Sequence, residues 1–221
     1  GLMMVGILYL LLLDSKSTVY EGDKSLNPFK AFIDAKGLMS KVVLAFLWTC
    51  VFVSFATNCY EQCFNYYIKD VYNYPATYNG LLKAAVGLIA LFVNMTIAVF
   101  ILKKTNVFRS IIYLLGICAL MMLGIIWLDD MILFIILNVI FFGVNAMNQP
   151  LLQNMLSSIK TKSDSDFVGI YNALWSFGVV LGALFAGILY TFGPKLSFVA
   201  CLSAYGVAIV CSYKLYKNTT F

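Results

Sequence analysis

The chain has 221 residues, 62% of them hydrophobic and only 11% charged, with a formal net charge of +5 and no histidine. A soluble domain is about 45–50% apolar and about 25% charged, so these proportions exclude a water-soluble globule, and most of the outer surface must face lipid. They also turn the positive charge away from nucleic acid, because the basic residues fall in short connections between apolar runs, as in membrane proteins.

Residues 1–13 are already apolar, yet too few for the roughly 20 residues that cross a bilayer. They lack the basic start and small-residue cleavage pattern of a signal peptide. They are read as the end of a preceding transmembrane helix, which makes the chain a fragment of a longer protein. Residues 14–40 form the long polar stretch, with Lys16, Glu21, Asp23, Lys24, Lys30, Asp34 and Lys36. This segment is predicted to be a cytoplasmic linker. A short amphipathic helix after Asn27-Pro28 would place Phe29, Phe32 and Ile33 on one face. Six apolar runs follow, at about 42–67, 78–102, 110–128, 131–157, 167–192 and 196–213. Each has the length of a membrane-spanning helix, and none alternates with the period of two that a strand requires. Residues 41–217 are therefore read as one six-helix transmembrane domain, and 218–221 as a cytoplasmic tail.

Basic residues orient the helices. If residues 14–41 are cytoplasmic, that side receives twelve Lys or Arg residues and the other receives only Lys69 and Lys195. Positive charge is enriched on the cytoplasmic side, so the chain is expected to be multi-pass in a cell membrane, specifically a bacterial plasma membrane, with linker and C-terminus inside.

Polar residues within a bilayer are costly and tend to face a bundle interior or a wet cavity. The first full helix carries Ser54, Asn58, Glu61 and Asn65, spaced so that they share one face. The second carries Asn79, Lys83, Gly87 and Asn94. The fourth carries Asn138, Asn145, Gln149 and Gln153, with Asn148 beside them and Pro150 expected to kink the helix. The fifth carries Asn172 and Ser176, then Gly178, Gly182 and Gly187, small residues that let helices pack closely. The third and sixth have only Cys118, a few serines and Tyr205 in their middles. The first, second, fourth and fifth helices are thus predicted to line a cavity, and the third and sixth to face lipid. Glu61 and Lys83 each lie eleven residues from Tyr72 at the intervening turn. In an antiparallel hairpin they would reach the same depth, about 10 Å inside, and an ion pair between them is expected, with a coupling or gating role. The six cysteines are read as packed small residues. Without histidine they form no recognisable metal site, and no cofactor is expected.

A shift of 93 residues lays 78–92 over 171–185 with eight identities in fifteen, from Tyr78-Asn79 on Tyr171-Asn172 to Ala90-Leu91-Phe92 on Ala183-Leu184-Phe185. The two segments would cross the membrane in opposite directions, the mark of an inverted repeat. The predicted fold class is an all-α integral membrane bundle of six transmembrane helices built from two inverted three-helix repeats.

Asn148-Gln149-Pro150-Leu151-Leu152-Gln153, a short polar loop, Gly169-x-Tyr171-Asn172 and Gly178-x-x-x-Gly182-Ala183-x-x-x-Gly187 resemble the C-terminal half of a major facilitator superfamily transporter. The look is that of the drug:proton antiporter branch. The family's charged loop motif is reduced to Lys103-Lys104 and Arg109 without an acidic partner. The resemblance implies helices seven to twelve of a transporter, with a six-helix N-terminal half as partner and no enzymatic activity. It implies alternating-access transport of a small-molecule substrate, as proton-coupled efflux of drug-like or amphipathic compounds. Asn58, Glu61, Asn65, Lys83, Asn145, Gln149, Asn172 and Trp175 are the candidate cavity residues, and Tyr60, Phe64 and Tyr171 are further aromatic contacts. Asn and Gln stripes suit a sugar or metabolite importer as well, and a non-transporting membrane receptor or scaffold is the alternative of another class.

Overall fold

The computed structural model describes the backbone of residues 40–73, 75–128, 130–159 and 164–219. The predicted end of a preceding helix, the linker with its amphipathic helix, and the polar loop with Lys160 and Lys162 lie outside the described residues, apart from Ser40. The described residues form helices long and apolar enough to cross a membrane in six places, so the chain is a multi-pass membrane protein.

Helix α1 spans Lys41–Asp70. Its N-cap is Ser40, whose hydroxyl accepts from the Val43 N–H at 3.2 Å, satisfying one of the free donors of a first turn. At 30 residues it is about 45 Å long, more than the hydrocarbon core of about 30 Å. The turn into α2 uses Asn73 at φ 54°, a left-handed conformation that asparagine tolerates better than most residues. Helix α2 runs over Ala76–Val93, passes through a π turn at Asn94–Ala98 and continues over Val99–Lys104. Helix α3 spans Val107–Trp127, capped by Asn106 accepting from the Phe108 N–H at 3.0 Å.

Helix α4 begins at Met131, where Asp130 accepts from the Leu133 N–H at 2.9 Å. It runs over Met131–Ala146 and, after a turn at Met147, over Asn148–Ser158. The expected kink therefore falls three residues before Pro150. The reason is the donor that proline lacks: Pro150 offers no N–H to the carbonyl of Ala146, four residues back. Helices α5 (Asp164–Phe192) and α6 (Leu196–Thr219) complete the bundle. Helices α1 and α2 extend one to three residues past both ends of their predicted runs, α4 runs one residue past its predicted end, and α5 starts three residues before its predicted start. The other two differ: α3 starts earlier and ends one residue short, and α6 keeps its predicted start and runs six residues further.

Helix α1 is central and packs most extensively on α5 and α6, while α4 packs on α3 and α2, and α3 against α6 joins the two groups. Sequence neighbours α1 and α2 touch only slightly. Lipid gives no hydrophobic reward for helix association, so close packing must hold the bundle. Two devices provide it. Between α1, α4 and α6, Tyr60 lies with its ring centroid 4.3 Å from Phe141 and 5.8 Å from Phe198, and Tyr67 lies 5.0 Å from Phe134. Between α1 and α5, glycine lets the backbones meet. A Cβ on Gly182 would stand 2.5 Å from the Phe55 carbonyl oxygen and 3.0 Å from the Cys59 nitrogen. One on Gly178 would overlap the Ser54 hydroxyl and stand 2.6 Å from the Val51 carbonyl oxygen. Gly187, expected in the same stripe, faces open space, because it lies beyond this helix crossing.

Helices α2 and α5 are the least buried and α1 the most, with α3 and α6 between. The expectation that α3 and α6 are mainly lipid-facing needs correction. Each turns one side outward, where Ser203 is exposed, but Cys118, Ser197, Tyr205 and Ser212 are buried on the other side.

Candidate functional site

Two adjoining recesses lie among α1, α2, α4 and α5. The inner one, of about 180 Å³, is walled by Thr57 and Glu61 of α1, Val86 and Ala90 of α2, Phe142, Asn145 and Gln149 of α4, and Trp175 of α5. The outer one, of about 220 Å³, is walled by Glu61, Phe64, Lys83, Val86, Gly87 and Phe142. They share Glu61, Val86 and Phe142. Neither has a wall from α3 or α6, so the four helices chosen by their polar stripes are the ones that meet here.

Asn145 organises the inner recess. Its Oδ1 accepts from the Tyr205 hydroxyl at 2.9 Å, the Asn148 Nδ2 at 3.0 Å and the Thr57 hydroxyl at 3.2 Å. Asn148 Nδ2 also lies 3.9 Å from the Cys118 sulfur. With the amide placed this way, three donors converge on one oxygen and occupy it. The network joins α1, α3, α4 and α6, so the helices with the fewest polar residues contribute to holding the site.

The α1 stripe divides. Thr57, Glu61 and Phe64 face the recesses. Ser54 and Asn58 turn toward α5, against Gly178 and Gly182. Asn65 leaves the site too: its Oδ1 accepts from Asn79 Nδ2 at 3.1 Å and so ties α1 to α2. Asn172 is exposed on α5, away from both recesses. Gln149 and Trp175 stand in the inner wall, with the Trp175 ring 6.0 Å from that of Tyr171. Tyr60, expected among the ligand contacts, is fully buried in the aromatic cluster, and Tyr171 is buried beside Phe46, 6.1 Å away. Both are packing residues, because their ring faces are already covered.

Glu61 of α1 and Lys83 of α2 both line the outer recess. The expected ion pair is not formed. Among the described residues no acidic and basic atoms of this pair lie within 4.0 Å, although Lys83 is the basic group near enough to act on Glu61 electrostatically. Helix α2 packs more on α4 than on α1, so the helices that carry the two charges are not closely apposed.

Thr57, Val86, Ala90 and Phe142 were not anticipated as wall residues. Thr57 precedes Glu61 by one helical turn, a spacing that offered a signal. The apolar three offered none, since any lipid-facing residue looks the same in sequence. No family model matches the chain, and no curated protein is significantly similar to it.

Proposed function

We propose that this chain is one six-helix half of a secondary transporter of the major facilitator type, which exports small amphipathic molecules by alternating access, driven by the proton gradient. The observation that carries this reading is the paired recess. It has a single carboxylate, Glu61, among amide, aromatic and aliphatic walls contributed by α1, α2, α4 and α5. A few polar groups in an otherwise apolar concavity is the general form of a small-molecule site, and an acid within a membrane span is a functional candidate.

Two further observations support it. The packing scheme exchanges as an inverted repeat would: α1 rests on α5 and α6 as α4 rests on α2 and α3, and α3 meets α6. Taken with the 78–92 and 171–185 correspondence, this favours two three-helix units related by a two-fold axis in the membrane plane. The exposed faces of α2 and α5, with Leu88, Phe92, Val180 and Leu184, would meet a second six-helix bundle. Rocking of one bundle against the other is how alternating access works.

The test is an efflux assay in cells expressing the full-length transporter and loaded with a fluorescent amphipathic dye, zwitterionic in one arm and cationic in another. Expression should lower dye accumulation, an uncoupler should restore it, and Trp175→Ala should weaken the effect. Unchanged accumulation with membrane expression verified would overturn the proposal.

A further inference from the structure

We propose that the two recesses together take one zwitterionic ligand, an α-amino acid with an apolar side chain. Its ammonium group would lie on Glu61, its carboxylate on Lys83 and its side chain in the inner recess. The inference rests on the transport reading and names the substrate class of the same site.

Glu61 stands at the junction of the recesses and Lys83 only in the outer one. The two charges face a common space without touching. Charges within a span are stabilised by partners of opposite sign. A ligand carrying an ammonium and a carboxylate on one carbon answers both at once. A simple amine leaves Lys83 unanswered and meets its repulsion, and a simple acid does the same with Glu61. The inner recess then decides the side chain. Val86, Ala90, Phe142 and Trp175 make its wall mostly apolar. Its volume of about 180 Å³ compares with the roughly 150 Å³ that suffices for a benzene ring. Asn145 spends its oxygen on Tyr205, Asn148 and Thr57, and the wall offers a second cationic group amides but no second carboxylate. Apolar and aromatic side chains are favoured over basic ones.

The experiment is equilibrium binding of radiolabelled L-phenylalanine to the purified full-length transporter in lipid nanodiscs. The competitors are 2-phenylethylamine, 3-phenylpropanoate and L-lysine. L-Phenylalanine should displace the label, and each competitor should be weaker by roughly tenfold or more, the size of one lost charge-assisted hydrogen bond. Glu61→Gln and Lys83→Gln should each weaken L-phenylalanine by a similar factor. Lys83→Gln should leave 2-phenylethylamine equal or tighter, which a merely structural role for an exposed lysine would not produce. 2-Phenylethylamine binding as tightly as L-phenylalanine would overturn the zwitterion assignment in favour of a plain cation. Absence of L-phenylalanine binding in a transporter that still extrudes dye would remove the assignment and leave the transport reading standing. Binding with the expected pattern but no flux in proteoliposomes would support the site and sink the transport reading.

Discussion

Tyr205 of α6 donates a 2.9 Å hydrogen bond to Asn145 Oδ1 on α4, and both residues are buried. One amide oxygen thereby holds together a helix of the inner recess and a helix that adds no wall to it. Replacing Asn145 by alanine takes this acceptor from the Tyr205 and Thr57 hydroxyls and leaves Asn148 Nδ2 the Cys118 sulfur, whereas Tyr205→Phe leaves Oδ1 with two donors. Interhelical hydrogen bonds in membranes average about 0.6 kcal/mol and reach about 1.7. Asn145→Ala should therefore cost about 1–3 kcal/mol, and Tyr205→Phe under about 1 kcal/mol, read as unfolding in mixed micelles by circular dichroism. Equal losses would break the network assignment.

Gly182 and Gly116 should respond oppositely to enlargement. A side chain at 182 collides with backbone atoms of α1, which cannot rotate away, while nothing lies within 4 Å of a Cβ at 116. Overpacking costs about 1–3 kcal/mol and sometimes more, so Gly182→Leu should lower the melting temperature sharply or abolish the monodisperse peak in size-exclusion chromatography. Gly116→Leu should remain near the parent. Gly187→Ala, in open space, should stay within about 0.5 kcal/mol. Similar tolerance at 182 and 116 would refute the α1–α5 contact.

Pro150→Ala returns an N–H to the carbonyl of Ala146 and should straighten the turn at Met147. The regained hydrogen bond adds at most about 1 kcal/mol, so stability should hold or rise. Asn145 and Gln149 flank that turn in the recess wall, and transport should fall as they move. Full transport in a stable Pro150→Ala variant would show that the turn has no part in the cycle.

The orientation can be checked at two exposed lysines, Lys69 at the end of α1 and Lys104 at the end of α2. With native cysteines replaced, Lys69→Cys should label in intact cells with an impermeant maleimide, and Lys104→Cys only after permeabilisation. The basis is the asymmetry of basic residues, and the reverse labelling pattern would invert the topology.

Composition and run length alone determined the class, the six spans and which four helices carry polar residues, because a span needs about 20 apolar residues and buried polarity is too costly to be accidental. Tertiary packing decided which polar residues share a space. On α1, Ser54, Asn58, Glu61 and Asn65 look like one stripe, but a stripe on a helix of 3.6 residues per turn is broad enough to touch more than one neighbour. The Gly178 and Gly182 crossing draws Ser54 and Asn58 to α5, Asn79 takes Asn65, and only Glu61 is left to face the recess with Thr57. Tyr60 is the same kind of case: its aromatic side chain suits a ligand wall or a core equally, and Phe141 and Phe198, distant in sequence, close around it. Periodicity assigns a residue to a face, and the identity of the helix against that face is set by contacts between segments far apart in the chain.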